Sequence, residues 1–167
     1  GTSVTMTSGA DVDLSSITGG GLLGANATFN SVNLDFECPT LGDSVTFTTT
    51  ENMTFTCERD VTIGSSVKLV AGVNLKILLT NGAALIIGNE FNLTAGAVMM
   101  VNAPAGLSMG TQGSATTTNG DMDFVTGAAG DVAIGTLAAF TAGGSMRLLL
   151  EYGGALSFGN NFSLSSG

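Results

Sequence analysis

The sequence predicts an all-β protein in which short strands wind as a coil around a narrow core. Residues 60–96 recur without a gap as residues 131–167. Within both segments, apolar residues recur in i, i+2 pairs about every six residues, and this spacing puts both side chains of a pair on one face of an extended strand. A helix would instead need i, i+3, i+4 recurrence. Long internal repeats of this kind are typical of stacked units that bury each other's apolar faces.

A finer register gives the length of one turn of the coil. The sequence "NLDFEC" (33–38) aligns with "NMTFTC" (52–57), then with "NLKI" (74–77) and "NLTA" (92–95). Most intervals in this alignment fall between about 18 and 24 residues, which predicts about eight or nine rungs, with one irregular rung near "GLSM" (106–109).

The same alignment makes a specific prediction about the interior of the coil. Its second position is always apolar, so we expect Leu34, Met53, Leu75 and Leu93 to stack in one interior column. Glycines between the apolar pairs, such as Gly88, are expected to let the backbone turn after each short strand.

This pattern resembles the parallel β-helix, or β-solenoid, found among surface adhesins and fibrous secreted proteins. The resemblance covers residues 31–167, including the repeat of 60–96 as 131–167, and implies architecture only. Residues 1–30 repeat less clearly, and we interpret them as a divergent N-terminal rung or cap. The alternative fold is an antiparallel β-sandwich in which the N-terminal "TSVTM" completes a neighbour's sheet by donor-strand exchange.

Composition excludes several classes of partner. The 167 residues include 4 basic and 13 acidic side chains, a net charge of −9, so the phosphate backbone of a nucleic acid would be repelled. No apolar run is long enough to span a bilayer, because Lys76 and Arg147 interrupt the two most hydrophobic stretches. The chain starts with Gly1 and shows no charged leader, so we expect a mature or excised segment.

The two cysteines occupy equivalent positions in the 19-residue alignment. Cys38 and Cys57 are therefore expected on adjacent strands, close enough for a disulfide. The alternative is a pair of buried free thiols. A metal site is not expected, because two thiolates without histidine do not complete a zinc shell. A disulfide favours an oxidising, extracellular compartment.

Four Asn-X-Ser/Thr sequons also favour an extracellular or cell-surface protein. Candidate N-glycosylation sites are Asn26, Asn52, Asn92 and Asn161. Strand alternation lets these side chains face outward, because the next residue faces in. The alternative is that these asparagines stack as ladders along the coil.

No catalytic, cofactor-binding or metal-binding residue is predicted. The chain has no histidine, which removes the usual general base and the commonest metal ligand. Carboxylate pairs remain at i, i+2 spacing and could hold calcium or serve a glycosidase, but they fit the solvated faces of alternating strands better. These pairs are Asp11/Asp13, Asp35/Glu37 and Asp121/Asp123.

Both terminal segments are alternating and uncharged, "GTSVTMTSG" and "NNFSLSSG". Natural monomers block exposed strand edges with charges, proline or a covering element, and these segments carry none. The sequence therefore predicts a structural subunit of an extracellular filament, sheath or adhesin stalk, not an enzyme, that assembles head to tail with copies of itself and carries glycans. The alternative is a carbohydrate-binding or carbohydrate-cleaving β-helix, which would need acidic and aromatic side chains converging in one outer groove.

Overall fold

A computed structural model describes residues 4–14, 22–37, 40–128, 130–151 and 153–167. Within these ranges the chain contains twenty-two β-strands and no helix, and every strand pairs with its neighbours in parallel. The predicted all-β parallel solenoid is therefore confirmed. The alternative β-sandwich is wrong, because its ladders would be mainly antiparallel.

The strands form three parallel sheets, and the chain visits them in the repeating order A, B, C. Sheet A contains β1 Val4–Thr7, β4 Ala27–Ser31, β7 Thr46–Thr49, β10 Lys68–Ala71, β13 Asn92–Ala95, β16 Ser114–Thr117, β19 Ala139–Ala142 and β22 Ser163–Ser166. Sheet B contains β2 Val12–Leu14, β5 Leu34–Glu37, β8 Met53–Cys57, β11 Asn74–Leu79, β14 Val98–Asn102, β17 Met122–Thr126 and β20 Met146–Leu150. Sheet C contains β3 Leu22–Leu23, β6 Thr40–Leu41, β9 Val61–Ile63, β12 Ala84–Ile87, β15 Gly106–Met109, β18 Asp131–Ile134 and β21 Leu156–Phe158.

The coil has seven complete turns plus strand β22, fewer than the predicted eight or nine. The turns also differ in length, because Thr28 pairs with Thr46 in an early, short turn and Ser114 pairs with Ala139 in a later, longer one. "GLSM" is not an irregular rung but the regular strand β15 of sheet C. The overcount arose because the same motif occurs on two different sheets.

The predicted interior column is correct for three of its four residues. Leu34 pairs with Met53, and Met53 pairs with Leu75, but the next member of this sheet B column is Met99. Leu93 instead lies in sheet A, between Leu69 and Ala115. The aligned motif is a polar residue followed by apolar residues at i, i+2 spacing that face the core. Strands of different sheets share this motif, so it does not show to which sheet a strand belongs.

The long sequence repeat corresponds to three turns of the coil. Val61 pairs with Leu85, Leu85 pairs with Leu107, and Leu107 pairs with Val132, the residue that aligns with Val61 in the repeat. Equivalent residues of the two copies therefore occupy the same column. The first residues of the repeat illustrate this, because Asp60 accepts a hydrogen bond from the Ala84 amide at 2.8 Å and Asp131 accepts one from the Ala155 amide at 2.7 Å.

The interior is filled by the inward residues of all three sheets. The aromatic side chains form two groups, one packed around Phe47 and Phe55 in the N-terminal half and one around Phe140 in the C-terminal half. The buried threonines satisfy their hydroxyl groups locally. The Thr126 hydroxyl, for example, donates to the Gly130 carbonyl oxygen at 3.0 Å. Apart from these threonines and Ser31, the described core is apolar and continuous along the axis.

Glycine forms an unbroken column at the corner between sheets C and A, because no Cβ fits between turns there. A Cβ on Gly88 would lie 2.7 Å from the Gly64 carbonyl carbon, and a Cβ on Gly110 would lie 2.6 Å from that of Gly88. The turn itself does not depend on the glycines. Two residues further along, non-glycine residues adopt the left-handed conformation in every turn: Asn26, Ser44, Ser66, Glu90, Gln112, Leu137 and Asn161. The glycines of this column are thus needed for close approach of the backbones, and not for turning the chain as the sequence had indicated.

Candidate assembly interface

The C-terminal end of the solenoid exposes its apolar interior. Leu164 of β22 is 57% exposed and Phe158 of β21 is 41% exposed, although both side chains belong to columns that are buried in the turns below. An apolar hollow of about 250 Å³ opens at this end, lined by Phe124, Ile134, Phe140, Met146, Leu148, Phe158, Phe162 and Leu164 together with Ser165 and Ser166. Another layer of inward side chains would fill it.

The N-terminal end is also open. Val4 and Met6 of β1 are 51% and 48% exposed, and Met6 lies directly over the buried Phe29 in its column. A smaller hollow at this end is lined by Met6, Val12, Phe29 and Leu34 with polar residues of the first corner. Exposed apolar patches of this kind usually mark interaction surfaces in proteins.

The backbone groups on the two ends are complementary. The amides of Val4 and Ser8 donate into the stack, to the Asn26 and Asn30 carbonyl oxygens. Successive residues of a parallel strand point their backbone amide and carbonyl groups to opposite neighbours. The residues of β1 whose side chains face solvent therefore direct these backbone groups along the axis, away from the stack. At the other end, the Ser163 amide donates into the stack, to the Ala138 carbonyl oxygen. The backbone amide and carbonyl groups of the next residue, Leu164, therefore point away from the stack.

The outer wall differs from the ends. On sheet A it carries mostly threonine, serine and asparagine, arranged in columns such as Thr46, Thr28 and Thr5. Lys68 and Val70 interrupt these columns. Away from Lys68, Val70 and Ala139, the hydroxyl and amide columns make this wall an uncharged hydrogen-bonding surface.

In one of the three predicted carboxylate pairs, Asp121/Asp123, the two side chains accept hydrogen bonds from different partners. Asp121 accepts from the Ser145 amide at 2.8 Å, whereas Asp123 accepts from the Arg147 guanidinium at 2.9 and 3.1 Å. Asp11 accepts from the Asn33 side chain at 2.9 Å. The other members of the predicted pairs, Asp13, Asp35 and Glu37, lie on the outer face of sheet B. Within the described residues, no group of three or more His, Cys, Asp or Glu side chains is placed to hold a metal ion.

Arg147 is the last cation along the chain and lies on the outer face of the last sheet B strand. The hydrogen bond that its guanidinium donates to Asp123, followed by the negative charge of that carboxylate, raises the pKa of Arg147. The guanidinium thus remains a fixed positive charge near the C-terminal end.

The four candidate glycosylation sites fall into two structural groups. Asn26 and Asn161 are exposed at corners between sheets C and A, both in the left-handed conformation. Asn52 belongs to an asparagine ladder, because its side chain donates to Asn33 at 3.0 Å and accepts from Asn74 at 2.9 Å. Asn92 accepts from the Thr94 hydroxyl at 2.9 Å. Glycosylation itself stays a prediction, and the two exposed corners are the positions best placed for it.

The predicted disulfide involves a residue outside the described part of the chain. Cys57 is buried at the end of β8 and is not a free thiol, while Cys38 lies in the segment that the structure does not describe. The pairing of the two cysteines therefore stays a prediction.

We expect alkylation of the denatured, unreduced chain to leave both cysteines unmodified, because they pair with each other. Reduction should then release two thiols and lower the free energy of unfolding by about 3 kcal/mol. Mass spectrometry of the alkylated chain checks the first statement and thermal unfolding with and without reductant checks the second. Two alkylated cysteines without reductant would contradict the pairing.

Across the described residues, no helix has the length and hydrophobicity needed to cross a bilayer.

The chain shows no significant match to any known protein family, curated protein or solved structure. The geometry of the two open ends is therefore the feature that bears most directly on function. The sequence indicates unblocked strand edges there, but it does not reveal the exposed hollow or the matched backbone polarity, which depend on the stacking of distant segments.

Proposed function

We propose that this chain is a structural subunit of an extracellular filament, sheath or adhesin stalk, and that its copies assemble end to end. The observation that carries the proposal is that both ends of the solenoid expose core side chains and unpaired strand edges. A second copy placed head to tail would cover Leu164 and Phe158 of one end as well as Val4 and Met6 of the other, and would continue all the apolar columns.

The polarity of the strands favours open growth. The two ends are different surfaces, so a head-to-tail contact is heterologous and leaves a new free end after each addition. A closed ring would require curvature, whereas the apolar columns of the solenoid continue along one axis. A linear filament follows.

An extracellular location is supported by composition and by surface chemistry. Only 10% of the residues are charged, and sheet A presents columns of hydroxyl groups to solvent. Two of the four sequons lie at exposed corners, where a glycan would not interfere with the stacking of turns. We propose a structural role and not an enzymatic one, since the carboxylates best placed for chemistry cap corners or pair with Arg147.

Replacing Leu164 by lysine should prevent filament formation. The side chain is exposed in the single subunit, so the subunit should fold normally, but assembly would bury an unpaired ammonium group at a cost of several kcal/mol. We expect the concentration needed for assembly to rise by about 100-fold or more. Sedimentation and negative-stain electron microscopy of the purified 167-residue chain measure this.

Ile86→Lys is the matched control, because Ile86 is 48% exposed on the outer wall of sheet C and far from both ends. It should assemble like the unmodified chain. An unmodified chain that stays monomeric at high concentration contradicts the proposed function. Loss of assembly in the control variant would place the contact on the wall and contradict the end-to-end arrangement.

A further inference from the structure

The outer wall of sheet B contains a polar groove that spans interior turns of the solenoid. Its volume is about 370 Å³, within the range of roughly 300–1,000 Å³ that small-molecule sites occupy. Three successive turns each contribute two outward-facing residues at i, i+2 spacing, and all six side chains are polar: Asn33, Asp35, Asn52, Thr54, Asn74 and Lys76. The groove thus presents two parallel columns of three polar side chains.

One column is an asparagine ladder that holds its amide groups in a single orientation. The side-chain oxygen of Asn33 accepts from the side-chain amide of Asn52 at 3.0 Å and from its backbone amide at 2.9 Å. The side-chain oxygen of Asn52 accepts in turn from the side-chain amide of Asn74 at 2.9 Å. Each of these NH₂ groups carries two N–H donors, and within the described residues the ladder uses one of them. The second donors of Asn52 and Asn74 are therefore fixed in position for a ligand that accepts hydrogen bonds.

The other column carries a carboxylate and an ammonium group that do not neutralise each other. Asp35 pairs with Thr54, and Thr54 pairs with Lys76, so the Cα atoms of the two charged residues lie about 9.6 Å apart, two strand spacings. Neither forms an ion pair within the described part of the chain. Asp123 and Arg147, by contrast, lie on adjacent turns of the same wall and are joined at 2.9 Å. The groove therefore offers an acceptor near one end and a charged donor near the other.

These groups do not suit a metal ion, a polyanion or an apolar molecule. The ammonium group of Lys76 would repel a divalent cation, which needs several oxygen ligands. Asp35 and the net charge of −9 would repel a polyanion. An apolar ligand would remove water from six polar side chains without replacing its hydrogen bonds. Hydroxyl groups match the groove better, because each can both donate and accept.

We propose that the groove binds an uncharged carbohydrate chain that lies along the solenoid axis. Sugar hydroxyl groups accept from the amides of Asn52 and Asn74 and from the ammonium group of Lys76. Other hydroxyl groups of the same chain donate to Asp35. Asp35 is the one acid among the six lining residues, so the groove binds a sugar without placing two carboxylates about a glycosidic bond. The site lies on the wall of a single subunit and does not depend on end-to-end assembly.

Titration of the dilute, isotope-labelled subunit with cellotetraose, mannotetraose and laminaritetraose tests the proposal by nuclear magnetic resonance. We expect at least one of these uncharged tetrasaccharides to shift the side-chain amide signals of Asn52 and Asn74. The six lining residues include no aromatic ring on which a sugar could stack, so we expect a dissociation constant on the order of 1 mM.

Asp35→Ala should weaken this binding by about tenfold or more, because hydrogen bonds to a carboxylate are stronger than those between neutral groups. Glu37→Ala is the matched control, because it removes a carboxylate from the same face of the same strand, outside the groove. Lys76→Met and Lys68→Met form a second pair, since Lys68 lies on the outer wall of sheet A. We expect weaker binding only from the first member of each pair.

Three results would overturn the carbohydrate site. The first is that none of the tetrasaccharides shifts the two amide signals at concentrations up to about 10 mM. The second is that Asp35→Ala weakens binding no more than Glu37→Ala does. The third is a glycan on Asn52 of the native protein, because a sugar attached there would fill the groove. Each of these results is independent of filament formation and leaves the end-to-end proposal intact.

Discussion

Replacing Gly88 by alanine should lower the free energy of unfolding of the subunit by about 3 kcal/mol. The added Cβ would lie 2.7 Å from the Gly64 carbonyl carbon and from the Ser65 amide nitrogen, both of which are backbone atoms of the turn below. Backbone atoms held in a ladder of parallel strands cannot rotate away, so the two turns must separate locally. Overpacking of this kind usually costs about 1–3 kcal/mol, and a backbone contact lies at the upper end.

Gly24→Ala is the matched control, because Gly24 is the first member of the same glycine column and a Cβ there meets no atom within 4 Å. The substitution should leave stability unchanged or raise it by about 0.5 kcal/mol through the lower entropy of the unfolded chain. Thermal unfolding of both variants, followed by circular dichroism in dilute solution, measures the difference. Equal stability of the two variants would show that the column tolerates a side chain and that close packing of the turns does not select glycine.

The local features of the fold were predictable from the sequence because they depend on short-range spacing. Alternation of apolar residues determines which side of a strand faces inward, and this correctly placed Leu34, Met53 and Leu75 in one column. The internal repeat indicated stacking, because each turn of such a fold contacts only its neighbours. The repeat also marks equivalent corners, as the matching hydrogen bonds of Asp60 and Asp131 show.

The assignment of strands to sheets was not predictable by the same argument. Three strands per turn have nearly the same inward pattern, so the interval between two matching motifs can be a whole turn or part of one. The pairing of Thr28 with Thr46 spans a whole turn, whereas an interval of the same length, from Asn74 to Asn92, leads only from sheet B to sheet A. This ambiguity misplaced Leu93 and inflated the number of turns.

The candidate interface depends on information that no single motif carries. Its apolar hollow is lined by residues from several turns, so it follows from the stacking of distant segments, which requires every strand to be assigned to the correct sheet. The sequence did indicate uncharged edge strands at both ends.

Replacing Phe47 by alanine should have an effect at least as large as that of Gly88→Ala, about 4 kcal/mol of unfolding free energy. Phe47 is fully buried, its ring stacks on Phe29 at 4.8 Å between centroids, and it meets Phe36 and Phe55 edge-on at 6.2 and 5.8 Å. Removing the ring would leave a cavity between the second and third turns. Chemical denaturation of the dilute, unassembled subunit measures the loss.

Phe158→Ala provides the comparison for Phe47→Ala, because it removes the same ring from the open end. Phe158 stacks on Phe162 at 4.3 Å but remains 41% exposed, so in the unassembled subunit the loss should be about 1–2 kcal/mol. In filaments the same ring would be covered by the next copy, and the variant should then also raise the concentration needed for assembly, whereas Phe47→Ala should act on folding alone. If Phe158→Ala lowered the unfolding free energy of the dilute subunit as much as Phe47→Ala does and still assembled normally, the C-terminal end would be closed in solution. That result would contradict head-to-tail growth.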